Sequence, residues 1–349
     1  MESRQVKSAA ERRQMARKKR LARQRMINLV TILFLLALIV GIALIIKNCH
    51  PKETAAPATI PAPQPSEPVV APKPQLTWKT YPEDRQITAK QYFVYDLTQQ
   101  KYLVSSGDTK VYPASITKLF SAYVALQYLD AEEVITSPDI RELVMPGSSV
   151  AGIEAAEKLT VEKLVEAMLL PSGNDAAYVL AVVAGHRIGS GNLSPYSAAN
   201  LFVERMNALA KEKGMTGSHF ANPDGIHESN HYTTYHDLTI MAALALENPT
   251  IAKYANTANG SRTMMYEGKE VPWKNTNALI QENSEYYCPY AIGLKTGQTP
   301  SAGSCLLSAF QVEDTTLIIG VFGCPDVNDR FDDTLQLFND FWKTKYPVE

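Results

Sequence analysis

The stretch VYPASITKLFSAYVAL, residues 111–126, places Ser115 and Lys118 three residues apart at the head of an apolar run. Ile116, Leu119, Phe120, Tyr123 and Leu126 recur at the spacing of a helix with one buried face, and Pro113 fits a helix start. Two readings share these letters. Ser115 can cap the helix, with Lys118 an ordinary lysine of its first turn. Alternatively the two are a nucleophile and its base, because i and i+3 side chains share a helical face. The second reading demands chemistry that neither residue has in water. A serine hydroxyl is a poor nucleophile until its proton is removed. A lysine with an ordinary pKa near 10.4 is neutral in only about one molecule in 2,500 at pH 7. Burial or a neighbouring cation lowers that pKa, and a helix N-terminus favours the alkoxide.

Two further elements bear on the choice. In PSGNDAA, residues 171–177, Ser172, Gly173 and Asn174 break a helical pattern; this is ordinary turn composition, or a hydroxyl and an amide placed to relay a proton and hold a peptide. In YAIGLKTG, residues 290–297, Lys295, Thr296 and Gly297 end a strand. They read as a solvent-facing lysine before a turn, or as a cation and hydroxyl for a carboxylate beside a glycine that admits an extended substrate. Lys295 could also be the cation that depresses the pKa of Lys118. A phosphate-binding loop would need G-x-x-x-x-G-K-[ST], so no nucleotide is expected. The three elements together, in this order, form the signature S-x-x-K, S-x-N, K-T-G.

Around this constellation the chain is strongly segmented. Residues 1–26 carry ten Lys or Arg against Glu2 and Glu11, a net +8; with the whole chain at −2, the rest carries −10. The basic excess is local and gives no reason to expect nucleic-acid binding. INLVTILFLLALIVGIALII, residues 27–46, has no formal charge and only Asn28 and Thr31 polar, and at about 1.5 Å per residue it spans a bilayer core of roughly 30 Å. The cationic flank predicts a cytoplasmic N-terminus with the bulk of the chain outside. No small-x-small site follows directly, which favours a retained anchor over a cleaved signal peptide, and IIKNC lacks the small residues that precede a lipidated cysteine. Eight prolines between residues 51 and 74 make 47–77 a stiff extracellular spacer, and 78–349 the catalytic domain. Among Cys49, Cys288, Cys305 and Cys324 one disulfide is possible, yet none has C-x-x-C spacing.

Within the domain, residues 92–108 read as two short strands with a turn at Thr98–Gln100. Helical patterns follow at 160–170, 175–189, 194–214 and 237–248. Beyond residue 285, YAIGLKTG, GSCLLSAFQ and TTLIIGVFG read as adjacent antiparallel strands, and residues 329–342 as an amphipathic helix with Phe331, Leu335, Phe338 and Trp342 inward. Strands first, helices between, strands and a helix last predict an α+β fold: an antiparallel sheet made from both ends of the domain, flanked by helices, with an inserted helical lobe. Catalytic groups would meet at the junction.

With PASITKLFSAY, PSGNDAA and GLKTGQTPSAGSCLLSA on the page, and MTGSHFANPDGIHESNHYTTYHDL at 215–238 between lobe and sheet, the sequence resembles low-molecular-mass penicillin-binding proteins, the serine-type D-alanyl-D-alanine carboxypeptidases, over roughly residues 85–325. The resemblance implies a serine β-lactamase/penicillin-binding-protein-like fold. It also implies Ser115 as acylated nucleophile, Lys118 as base, Ser172 as proton shuttle, and Asn174 orienting the peptide. Lys295, Thr296 and Gly297 would bind the substrate's terminal carboxylate and backbone, and the amides of Ser115 and Gln298 would form the oxyanion hole. The implied partners are peptidoglycan stem peptides, covalent β-lactam inhibitors and, through the N-terminal helix, the membrane, with no cofactor and no metal. Gln298 departs from the histidine common in the family, a change that a backbone oxyanion donor tolerates.

Three rival readings are weighed against this one. A class A β-lactamase needs a glutamate for deacylation, and Glu204 with Asn207 lies in a continuous helical pattern without the E-x-x-L-N order. HESNH, residues 227–231, satisfies H-E-x-x-H, which on a helix would put His227 and His231 on zinc with Glu228 as base and Glu247 as a third ligand. NPDG just ahead and Asn230 inside it make a loop of that segment. A catalytically dead sensor of wall peptides would have lost a motif residue, and all are intact.

Overall fold

The computed structural model describes residues 78–347 apart from 83, 108–109, 190–192 and 264–267. The expected tail, membrane span and most of the spacer lie outside the described residues. Among those described, no helix is long and apolar enough to cross a membrane.

The sheet forms because the two ends of the domain supply strands that fit each other. β1 (Gln91–Asp96) and β2 (Lys101–Ser105) make the first hairpin; β7 (Ala291–Thr299), β8 (Gly303–Val312) and β9 (Thr315–Cys324) make a meander. They join as one antiparallel sheet in the order β2-β1-β9-β8-β7, with Phe93 opposite Gly320 and Leu307 also opposite Gly320. β8 and β9 are central and covered on both faces, so they read as unbroken apolar runs rather than as alternation. Successive side chains still part company. Val94, Leu306, Phe310 and Ile319 face one core with Phe338 and Trp342 of α7 (Asp329–Lys345), whereas Phe93, Leu307 and Ile318 face the helical lobe. Phe310 stacks on Phe338 with centroids 4.2 Å apart, and each such buried side chain is worth about 1.5–3 kcal/mol.

Between the two strand groups lies the inserted lobe: α1 (Thr117–Ala125), α2 (Val161–Leu169), α3 (Asn174–Ile188), α4 (Pro195–Glu212), α5 (Tyr235–Glu247) and α6 (Pro249–Ala255). Local chemistry sets the boundaries. Thr160 caps α2 by accepting from the Lys163 amide, Ser194 caps α4 ahead of Pro195, and Thr234 caps α5. α1 is centrally placed, and Leu119, Phe120, Ala122 and Val124 are buried among the other helices.

Two small hairpins and α6 lie outside the sequence reading. In β5 (Asn259–Thr263) and β6 (Glu270–Lys274) only Arg262 and Trp273 are buried, and β3 (Val134–Thr136) with β4 (Lys158–Thr160) is three residues long. Neither leaves a periodic apolar signal. Among the described residues, Cys288, Cys305 and Cys324 are free thiols, so the possible disulfide is not formed among them, and Cys49 lies outside the described residues. Cys305 on β8 packs with the lobe-side core and Cys324 on β9 with the α7-side core, so the sheet separates them.

Candidate active site

Ser115 does not cap α1. It sits in a 3-10 turn, Ala114–Ile116, immediately before the helix, and Ile116 occupies the cap position without a side-chain bond. The Ser115 hydroxyl meets Lys118 instead, with Nζ 2.9 Å from Oγ. The turn is strained, since Ala114 has φ +48°, a region costing a non-glycine residue about 1–3 kcal/mol. Ser172 pays the same penalty at φ +63°. One outlier directly precedes Ser115 and the other is Ser172 itself, and both serines line one cleft.

Lys118 is fully buried, and its ammonium has three acceptors: Ser115 Oγ, Asn174 Oδ1 at 2.7 Å and the Asp224 carbonyl at 2.6 Å. When the group is neutral its two N–H bonds still satisfy the two carbonyls, leaving the lone pair for the Ser115 proton. Burial lowers the Lys118 pKa to about 8 against the opposing pull of Asp224 and Asp175. The expected help from a second cation falls elsewhere. Lys295 is the group pushed well below the ordinary lysine range, by burial first and then by Lys118 and Arg330.

Asn174 opens α3, and its amide donates to the Ser149 carbonyl at 2.8 Å. Next to it, the Asp175 carboxylate accepts from the amides of Ala151, Gly152 and Ile153 at 2.7–2.8 Å, fastening the 149–153 loop beside the helix. Arg262 ties the same loop from β5 through the Gly152 carbonyl and a buried pair with Glu157. The Ser172 hydroxyl has no hydrogen-bond partner among the described residues and lines a cleft of about 570 Å³ together with Ser115, Thr296, Gly297, Gln298 and Arg330.

β7 is the edge strand on the cleft side of the sheet. It runs so close to the Ser115 turn that a Cβ on Gly297 would lie 2.8 Å from the Pro113 carbonyl and 3.1 Å from the Ser115 amide nitrogen. Glycine is needed here for close approach. Lys295, on this strand, is wholly buried, its Nζ 3.2 Å from the Thr296 carbonyl and 3.5 Å from Thr276 Oγ1, and the Thr276 and Thr296 hydroxyls bond each other. Arg330, near the start of α7, reaches the Gly297 carbonyl at 3.4 Å, and its Nε is unpartnered. No carboxylate of the described residues pairs with Lys295 or Arg330. A cleft lined by the Arg330 guanidinium, with the Lys295 amine buried beside it, favours an anion, whose charge would in turn favour protonation of Lys295.

Four participants escaped the sequence reading: the Asp224 carbonyl, Gly225, Thr276 and Arg330. NPDG, residues 222–225, read only as a turn, and Arg330 only as the first turn of an amphipathic helix. The rival glutamate, Glu204, is exposed on the unbroken α4, and Asn207 is occupied with the backbone of Phe220. HESNH is loop, as its composition predicted. His227 stacks edge-on against Tyr112, Glu228 accepts from Asn222, and His231 bonds Thr117, so the zinc geometry of one helical face is lost.

The profile of the peptidase S11 family, D-alanyl-D-alanine carboxypeptidase, matches residues 78–326. A D-alanyl-D-alanine carboxypeptidase of Streptomyces sp. strain K15 is 32% identical over 242 residues, covering 67% of this chain and 80% of that protein. The DacF carboxypeptidase of Bacillus subtilis strain 168 is 28% identical over 229 residues, 64% of this chain and 54% of its own length, so the match spans about half of that relative. In three dimensions the crystal structure of the Streptomyces K15 DD-transpeptidase superposes with a TM-score of 0.66 at 29% identity, over 73% of this chain and 97% of the other. The shared fold, the antiparallel sheet with its helical lobe and the extent of the sequence match together make this chain a member of the serine-type D-alanyl-D-alanine carboxypeptidase family.

Proposed function

We propose that the chain removes the terminal D-alanine from peptidoglycan stem peptides through an acyl-enzyme on Ser115. The observation that carries this reading is the Ser115–Lys118 contact at 2.9 Å, with Lys118 buried and its remaining acceptors fixed. Ser115 Oγ attacks the penultimate D-alanine carbonyl while its proton passes to Lys118 Nζ. The amides of Ser115 and Gln298 take the developing oxyanion. The C–N bond then breaks as Ser172 relays to the leaving amine the proton that Lys118 took from Ser115, and water later releases the acyl group. Asn174 orients the peptide, which lies along the β7 edge at Gly297. Thr296, Lys295 and Arg330 receive the terminal carboxylate, Arg330 being the cation that lines the cleft itself. A β-lactam, whose amide presents the same carbonyl beside a carboxylate, acylates Ser115 by the same step.

The test is incubation of the full chain with a peptide ending in D-Ala-D-Ala and mass analysis of products. The expected result is free D-alanine and the shortened peptide, none with Ser115→Ala. Arg330→Ala should cost about 10- to 100-fold in kcat/KM on that peptide, the range for a lost charge-assisted bond, and much less on its C-terminally amidated analogue. Equal discrimination between the two peptides by wild type and Arg330→Ala would remove Arg330 from the carboxylate site. A second reading is transpeptidation, favoured by the likeness to the Streptomyces K15 DD-transpeptidase. An added amine acceptor distinguishes it, because transfer yields a longer exchanged peptide where hydrolysis does not.

We place residues 27–46 in the cell membrane with residues 1–26 in the cytoplasm and the domain from residue 78 outside, joined by the proline-rich spacer. The +8 tail and uncharged run support this, as does the start of the family match at residue 78. Protease added outside intact cells should remove 78–349 and leave 1–26 protected; full protection of the domain would sink this topology.

A further inference from the structure

His231 is left over from the zinc-like motif, yet it is 2% exposed and lies against the nucleophile helix. Its Nδ1 is 3.2 Å from the Ala221 amide, which donates to it, and its Nε2 is 2.8 Å from Thr117 Oγ1. Since Nδ1 accepts, the neutral ring carries its proton on Nε2 and donates to Thr117. Burial, with His219, His227 and Lys118 as neighbouring charges, lowers the His231 pKa to about 3, so the ring stays neutral across the working range.

The two ends of this contact are mechanically related to the base. Thr117 is fully buried in the first turn of α1, between Ser115 and Lys118 in sequence. Ala221 leads into Asn222-Pro223-Asp224-Gly225, the loop whose Asp224 carbonyl accepts from Lys118 Nζ. That loop is fastened to α1 by Ser121 Oγ on the Pro223 carbonyl at 2.6 Å, and closed on itself by the Gly225 amide on Asn222 Oδ1. His231 is in turn held from behind by the pairing of Val111 with Thr233 and of His219 with Tyr232. The imidazole thus bridges the helix that carries the base and the loop that supplies one of its acceptors.

We infer that His231 is a positioning residue of the acylation step, a neutral strut between Thr117 and the 221–225 loop that keeps the Asp224 carbonyl on Lys118. The inference rests on the reading of Ser115 and Lys118 as nucleophile and base. With the strut gone the loop relaxes, the Lys118 ammonium loses an acceptor, and the lone pair of the amine is no longer aimed at Ser115 Oγ. Losing an acceptor disfavours the charged form, so the Lys118 pKa falls while the rate falls at every pH.

The experiment compares wild type, His231→Phe, His231→Gln and Thr117→Val as full-length chains, with His186→Gln, at the far end of α3, as an unaffected control. Two readouts are taken: the pH profile of kcat/KM on a D-Ala-D-Ala peptide, and the titration of Lys118 followed by NMR of 13C-labelled lysine and assigned by its loss in Lys118→Ala. His231→Phe keeps an aromatic ring in place and removes both bonds. It should lose about 10- to 100-fold in kcat/KM, carried by kcat, the range for a displaced catalytic group. Its acid limb and Lys118 titration should move to lower pH. Glutamine, which both donates and accepts, should restore the wild-type profile, and Thr117→Val should reproduce the phenylalanine shift. Should His231→Phe fail to fold, Thr117→Val decides. An unmoved or raised Lys118 titration in the variants that fold, or a glutamine variant as impaired as phenylalanine, overturns the inference. Wild type inactive on the peptide would refute the activity instead, with the lysine titration still testing the strut.

Discussion

Lys118→Ala is expected to lower kcat/KM on a D-Ala-D-Ala peptide, and the acylation rate by a β-lactam, by at least the ~10²–10⁴ associated with loss of a general base. Both ligands need the same proton removed from Ser115, so both should suffer alike. The pH dependence follows from the same group. Lys118 works only when neutral, and with its pKa lowered to about 8 roughly one molecule in ten is ready at pH 7, against about one in 2,500 for an ordinary lysine. The wild-type kcat/KM should therefore rise with pH through about 8 and level off, and Lys118→Ala should lose that limb. Lys118→Arg sharpens the test. A guanidinium is protonated at every accessible pH, so it retains charge and removes the base. An arginine variant within tenfold of wild type, or an alanine variant with the limb intact, would show that another group takes the proton.

Gly225→Ala is expected to disable the enzyme without touching a reactive side chain. Gly225 has φ +86°, and a Cβ built on it would stand 1.9 Å from the Ala114 carbonyl oxygen and 3.0 Å from the Ser115 amide nitrogen. Nothing flexible lies in that direction. Either the loop withdraws, taking the Asp224 carbonyl off Lys118, or the nucleophile turn shifts and spoils the amide of Ser115 as an oxyanion donor. The expected loss is about 100-fold in kcat/KM, together with about 2–4 kcal/mol of stability from left-handed strain and overpacking combined. Gly214→Ala separates the two causes. Gly214 has nearly the same φ, +85°, but ends α4 with only Ile240 Cδ1 at 3.8 Å from a Cβ. It should lose about 1–2 kcal/mol of stability and keep its activity. Comparable activity in the two variants would mean that contact with the nucleophile turn is not what Gly225 provides.

Nothing in their local sequence reveals what the arginine, the glycine and the histidine on which these expectations turn do in the fold. Arg330 is one cation in the first turn of an amphipathic helix, and nothing in DRFDD separates it from a solvated residue. Gly225 sits in NPDG, which any tight turn could use. His231 belongs to a motif with a strong local meaning, H-E-x-x-H, that the surrounding turn residues cancel. In each case the informative neighbour is far away in sequence: His231 and Thr117 are 114 residues apart, Arg330 and the Gly297 carbonyl 33, and Gly225 meets Ala114.

What the sequence by itself determined is whatever depends on near neighbours along the chain. Apolar spacing located the helices of the lobe other than α6 to within a few residues, and caps such as Thr160 and Ser194 set their starts. Apolar runs gave the β7–β9 meander, and the order of strand and helix signals gave a sheet built from both ends of the domain. The three motifs named the hydroxyls, lysines and amide that the fold gathers in and behind one cleft. Tertiary structure alone decided the state of those groups. Lys118 has its pKa lowered because distant parts of the chain strip it of water, and Lys295 is wholly buried on β7 rather than standing at a solvent-facing turn. Solvation and pKa belong to the packed surroundings of a side chain, and periodicity along the chain reports only which face is covered, never by what.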